Sequence, residues 1–173
     1  MELADCGRRN RLVGGELKST KLLSAYNPPG DLTALSEQQN AALIQKLYDA
    51  FGRGDIQTIL DNLNPDVDWV MEGPAQVPFT GQRKGPAEVA EFFGALANTQ
   101  TNRKLTVETL LAQGDTVAML GRYAATVTAT GMHFDSRAAH FFTILNGQVA
   151  RLVDVVDTAA LLEAYTKSSA AGH

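Results

Sequence analysis

The stretch FDSRAAHFFTILNGQVARLVDVV, residues 134–156, decides the fold. It reads as two β-strands joined by Asn146-Gly147, the strongest short-range hairpin signal a sequence carries. In their apolar central segments only His140 and Asp154 are ionisable, on a face otherwise carried by Phe142, Ile144, Leu152 and Val156. With Asn146 and Gly147 as the two loop residues, Leu145 faces Gln148, His140 faces Val153 and Asp154 faces Ala139. The pair then lies on opposite faces of the ribbon. A one-residue bulge beside Gly147 brings both to one face, because a slip of one residue flips every following side chain.

Upstream of the hairpin the period-two pattern continues. Strands are predicted at Leu105–Ala112 and Thr116–Thr128, then at Phe134–Leu145 and Gln148–Val156, separated by Gly114-Asp115, Thr130-Gly131 and Asn146-Gly147. The middle two are long, which favours a strongly curved sheet. Downstream, Asp157 is placed to cap a short helix over Thr158–Tyr165.

The first half of the chain has a different period. Ser36 to Gln39 fits a capping box, followed by Leu43, Leu47, Tyr48 and Phe51 at helical spacing. Gly52 and Gly54 end this helix. Asp55 can cap a second, short one with Ile56, Ile59, Leu60 and Leu63 on its face, closed by Asn64-Pro65. Asp66–Glu72 alternates as a strand. Gly73 to Gly81 reads as a loop whose Val77 and Phe79 can fold over a cavity as a lid. Gly85-Pro86 opens a third helix, striped by Val89, Phe92, Phe93 and Leu96. Helices first and a meander afterwards predict an α+β fold. Its curved antiparallel sheet wraps into a cone, with three helices from the N-terminal half packed on one face and a ligand cavity at the mouth. Residues 1–35 read as an extension, 36–167 as the domain and 168–173 as a tail.

Composition narrows the function classes. The 173 residues are 45% hydrophobic and 20% charged, ordinary for one globular domain. A net charge of −4 argues against nucleic acid as a partner, since phosphate binding needs a basic face. No run is long enough for a membrane-spanning helix, and no secretory leader is evident, so the sequence predicts a cytoplasmic protein. The single cysteine, Cys6, excludes an internal disulfide framework and a cysteine-based zinc site, and three dispersed histidines make no metal set. No nucleophile elbow or phosphate loop is present.

Four blocks carry a resemblance: LYDAFGRGDIQTILDNLNPDVDW, GQRKGPAEVAEFFGAL, GDTVAMLGRYAATVTATG and HFFTILNGQVARLVDVVDTAAL. In order and spacing they resemble the nuclear transport factor 2-like superfamily, and within it the SnoaL-like branch. That resemblance implies the cone-shaped fold. It also implies ring-closing chemistry next to a carbonyl, by an aspartate with a histidine one strand earlier and without a cofactor. Asp154 and His140 look like that pair. Ketosteroid isomerases match less well, because Ala139 stands where their oxyanion aspartate would be and Tyr48 is one position from their tyrosine. The limonene-epoxide-hydrolase triad is absent, since position 124 is alanine.

The candidate catalytic residues are therefore Asp154 and His140. Asp154 sits among Leu152, Val153, Val155 and Val156, where it loses solvation, which suits a general acid or base. The alternative is a structural ion pair with Arg122, Arg137 or Arg151. Substrate-binding candidates are Trp69, Tyr48, Phe92, Phe142 and Tyr123 as cavity wall, Glu72 at its lip, and Arg122 for an anionic group. No metal or cofactor is implied, and the expected ligand is a small apolar or polycyclic carbonyl compound. The competing function is a non-catalytic module that binds a hydrophobic ligand or dimerises. The apolar outer face of the sheet predicts a homodimer under either reading.

Overall fold

The computed structural model describes residues 32–167, with side chains from Ser36 onward. Cys6, the predicted extension over residues 1–31 and the tail over 168–173 lie outside the described residues. The elements are α1 (Leu32–Arg53), α2 (Ile56–Leu60), β1 (Leu63–Met71), β2 (Gly81–Lys84), α3 (Gly85–Thr99), β3 (Gln100–Gln113), β4 (Thr116–Val127), β5 (His133–Leu145), β6 (Gln148–Val156) and α4 (Thr158–Thr166). They build a mixed α+β architecture on one curved six-stranded sheet of order β2-β1-β6-β5-β4-β3. Among the described residues no helix is long and apolar enough to cross a membrane.

Local chemistry accounts for most element ends. Asp55 accepts from the Thr58 amide (3.1 Å) and the Thr58 hydroxyl (2.6 Å), capping α2. Asp157 accepts from the amides of Ala159 and Ala160 and caps α4. Asn146 and Gly147 both have positive φ, 52° and 75°, the signature of a type I′ turn that matches the twist of β5 and β6.

Four expectations change. α1 begins at Leu32 rather than at a Ser36 cap, because Leu-Thr-Ala-Leu continues the helix backwards without a breaker. Glu37, read as part of a capping box, instead accepts from the Gly114 amide at 2.7 Å, and Asn40 donates to the Gly114 carbonyl at 3.0 Å. α2 ends at Leu60, so Leu63 and Asn64-Pro65 belong to β1. Pro65 falls between Leu63 and Asp68, where the pairing with β6 is interrupted and its missing N–H costs nothing. β3 starts at Gln100, directly from the end of α3, with a positive φ of 52° at Asn102 marking its first irregularity.

The pairing of β1 also goes beyond an antiparallel meander. It runs antiparallel to β2 but parallel to β6, with Met71 opposite Asp154. Inward-facing residues of all the long strands meet α1, α3 and α4 in one core containing Ile44, Leu47, Val89, Phe92, Phe93, Leu96, Leu161 and Ala164.

The hairpin holds the decisive detail. Leu145 pairs with Gln148 and Ile144 with Val149, as in a plain two-residue hairpin. Then the register shifts: Thr143 pairs with Arg151, leaving Ala150 unpaired. This bulge lies three residues beyond Gly147 rather than beside it, and it places His140 directly opposite Asp154.

Glycines test the packing in opposite directions. A Cβ on Gly121 would overlap the Thr106 carbonyl oxygen and lie 3.0 Å from Met119 Sδ, whereas one on Gly94, exposed on α3, meets nothing within 4 Å. Gly121→Ala is therefore expected to cost at least about 1–3 kcal/mol in urea unfolding. Gly94→Ala should add about 0.5–1 kcal/mol by helix propensity. Equal effects of the two substitutions would contradict this packing.

Candidate active site

The bulge and the inward-facing residues of six elements converge on one cavity of about 80 Å³. α1 contributes Tyr48, β1 Trp69, α3 Phe92, β4 Tyr123, β5 His140 with Phe142, and β6 Asp154. Seven of the nine predicted site residues are thus brought together. Phe79 of the predicted lid joins them, fully buried and edge-on to Phe92 at 6.0 Å between ring centroids. Arg83 holds that loop by donating to the Phe79 carbonyl (2.8 Å), with its guanidinium 5.5 Å from the centre of the Phe92 ring, a cation–π contact.

Glu72 and Arg122 are not among the lining residues. β1 ends at Met71, and the alternation that turns Trp69 and Met71 inward leaves Glu72 exposed. Arg122 lies beside inward-facing Tyr123, so it points outward, 3.0 Å from Asp135. The ion-pair alternative for Asp154 falls on the same count: Arg137 pairs with Glu108, and Arg151 lies 3.8 Å from Asp68.

What remains around Asp154 is a short polar chain in an apolar wall. His140 Nε2 lies 3.3 Å from Asp154 Oδ1, with both side chains nearly buried. This is ion-pair distance but not hydrogen-bond alignment, so Asp154 Oδ1 is buried without a hydrogen-bond partner among the described residues. On the other side of the imidazole, Tyr48 Oη is 2.8 Å from His140 Nδ1. Burial, with the Asp154 charge adding to it, pushes the Tyr48 phenol well above its ordinary range, so Tyr48 keeps its proton. A protonated phenol donates to Nδ1. This assigns the neutral ring's own proton to Nε2, facing the carboxylate.

A second buried group is also unsatisfied: the Trp69 indole N–H has no acceptor among the described residues. Both residues line the cavity, so its wall holds one acceptor and one donor whose hydrogen bonds the described residues leave unmade. Among the described residues, no three His, Cys, Asp or Glu side chains gather as metal ligands.

The fold agrees with the comparisons. A family model described as the SnoaL-like domain matches residues 44–152. The chain belongs to the SnoaL-like family. Among solved structures, this SnoaL-like chain is similar to an NTF2-like protein of unknown function from Burkholderia pseudomallei. The two are 25% identical with a TM-score of 0.70, covering 74% of this chain and 98% of that one. TerC, co-crystallised with polyporic acid, is 26% identical with a TM-score of 0.67, covering 73% and 98%. A protein from Jannaschia sp. classed as a SnoaL-like polyketide cyclase is 19% identical with a TM-score of 0.67, covering 77% and 95%, and supports the fold alone. Comparison with curated proteins gave no match.

Sequence reasoning missed the bond from Tyr48 to His140, between residues 92 positions apart, and a polar cluster of Gln100 and Tyr165 behind Tyr123. Gln100 sits in a polar run, NTQTNRK, with nothing to mark it as buried.

The tyrosines give an alkaline prediction. Burial raises Tyr48, Tyr123 and Tyr165 above the ordinary value of 10.0. A raised folded-state value means the stability is fully present below about pH 10 and is lost as pH climbs beyond it, since only the unfolded chain then releases these protons. Melting temperature should fall steeply above about pH 10, and Tyr48→Phe should make that fall shallower. An unchanged slope in the variant would show that Tyr48 is not held protonated by the fold.

Proposed function

We propose that this protein is a cofactor-independent small-molecule enzyme of the cytoplasm that moves a proton at the carbon next to a carbonyl, a cyclase- or isomerase-like reaction. The observation that carries the reading is Asp154: a carboxylate 8% exposed, lining an apolar cavity, with an oxygen that no group among the described residues hydrogen-bonds. A buried charge left unsatisfied is costly, and such costs concentrate where chemistry is done. In the proposed step, Asp154 takes the α-proton and becomes neutral. The bond's electron pair moves into the enolate, and Asp154, its acid proton having exchanged with solvent, returns a proton to the enolate at the end of the reaction. His140, oriented by Tyr48, holds the carboxylate in place and presents its Nε2 proton to developing negative charge.

Volume refines the ligand. A cavity of roughly 150 Å³ takes benzene, so about 80 Å³ favours a compact ligand of at most one ring. A polycyclic one needs the Phe79 loop displaced.

The test is hydrogen–deuterium exchange at the α-carbons of cyclohexanone in D₂O, followed by NMR. The wild-type chain should accelerate exchange over buffer, and Asp154→Asn should lose at least about 100-fold of that acceleration. Its melting temperature should stay within a few degrees. Full exchange activity in Asp154→Asn would overturn the mechanism.

The same proposal includes a homodimer. Cross-strand rows on the outer face place Leu111, Ala118, Phe141 and Val153 side by side, next to Leu120, Ala139 and Val155. Leu111 is 65% exposed and Phe141 47%. A contiguous apolar face of this kind suits a second copy of the chain. Light scattering should give about twice the 18.6 kDa chain mass, and Phe141→Glu should shift it toward the monomer. A wild-type mass equal to one chain would exclude the dimer.

A further inference from the structure

One tyrosine that the proton-transfer step does not use stands in the wall of the cavity. This is Tyr123, which pairs across the sheet with Ser136, four residues along β5 from His140. At about 3.3 Å per residue, the two backbone positions are about 13 Å apart. Behind Tyr123 lies a hydrogen-bonded chain. Tyr123 Oη is 2.5 Å from Gln100 Oε1, Gln100 Nε2 is 3.0 Å from Tyr165 Oη, and Tyr165 Oη is 3.0 Å from Thr99 Oγ1. Thr99 Oγ1 in turn is 2.7 Å from the Ala95 carbonyl. Gln100, at the centre, is 2% exposed.

Counting protons along this chain fixes its direction. A carbonyl cannot donate, so the Thr99 proton goes to Ala95. Thr99 can then only accept from Tyr165, which commits the Tyr165 proton. Tyr165 must therefore accept from Gln100, so the amide presents Nε2 to Tyr165 and Oε1 to Tyr123. Tyr123 in turn gives its proton to Gln100. Turning the amide over would set two oxygens 3.0 Å apart, Tyr165 against Thr99, with no proton between them. That leaves the hydroxyl of Tyr123, a residue that lines the cavity, as an acceptor only, with no other donor to it among the described residues.

We propose that Tyr123 reads a hydroxyl group of the ligand, so that the cavity takes a compact hydroxy-carbonyl compound whose hydroxyl lies remote from the carbonyl. The carbonyl half of this rests on the acid/base reading of Asp154, while the hydroxyl half rests on the proton count alone. Burial keeps Tyr123 neutral against the opposing charge of Arg103, so it does not become a charged acceptor that would take any cation. An ether oxygen at the same place meets the Tyr123 oxygen without a proton and is disfavoured.

The experiment titrates the full-length protein with cyclohexanone, 4-hydroxycyclohexanone and 4-methoxycyclohexanone by ligand-detected NMR. The hydroxy ketone should bind at least about tenfold more tightly than the methoxy ketone. In Tyr123→Phe that ratio should fall to about one. Should Tyr123→Phe fail to fold, Tyr165→Phe serves instead: without the Tyr165 hydroxyl the Gln100 amide is free to turn, Tyr123 regains a proton for the cavity, and the ratio narrows because the ether is now accepted. A wild-type ratio near one, or a ratio unchanged in the variant that folds, overturns the role of Tyr123. If cyclohexanone binds while the ratio is near one, only this role falls and the Asp154 reading stands. If none of the three ketones binds, both fall.

Discussion

Without the bulge at Ala150, strict alternation would place His140 and Asp154 on opposite faces of the hairpin, one in the cavity and one on the outer face. With it, Asp154 turns to the inner side opposite His140, and Leu152 and Val156, which share its parity, turn into the wall with it. The bulge lies beyond the turn, so the Asn146-Gly147 geometry stays regular and the register changes only where β6 runs between β5 and β1. The chemistry of the cavity depends on that single shift.

Its cost is visible in what surrounds the carboxylate. Aromatic and aliphatic side chains exclude water from Asp154, and the arginines available to neutralise it are committed elsewhere, on the outer face, to Asp135, Glu108 and Asp68. The separation follows from parity. Basic residues at outward positions of β4, β5 and β6 meet outward acids, while the inward face carries one acid and one imidazole. An opposite arrangement, with an arginine on Asp154, would have made a stable but chemically inert pair. The chain instead supports the carboxylate indirectly, through a histidine whose orientation is set by a phenol on α1.

How much of this the sequence carried varies with the kind of signal. The strands from β4 onward, the third helix and the two aspartate caps were legible because each rests on local chemistry: alternation, Pro at a helix start, Asp before an N–H. The aromatic wall was legible for the same reason, since Tyr48, Trp69, Phe92 and Phe142 recur at core spacing. Glu72 and Arg122 were misplaced because a strand's last residue and its facing depend on where pairing stops, which is a property of the neighbouring strand. The bulge position, the parallel β1–β6 pairing and the Gln100 network were not legible at all. Each is set by partners distant in the chain, and NTQTNRK looks the same whether it is a loop or a buried corner.

The parallel pairing of β1 with β6 has a consequence for how the protein comes into being. Met71 and Asp154 are neighbours in the sheet yet belong to the first and last strands of its long-range pairing. Contacts of such long sequence separation close late, because the intervening chain must lose its entropy before they form. Helix α1 and the β3–β5 meander can gather during synthesis, but the carboxylate reaches the cavity only when the final strand slots between two strands already made. The last strand of this sheet to be made therefore both closes it and brings in the acid, so a chain that stops short of β6 carries the aromatic wall without the carboxylate inside it.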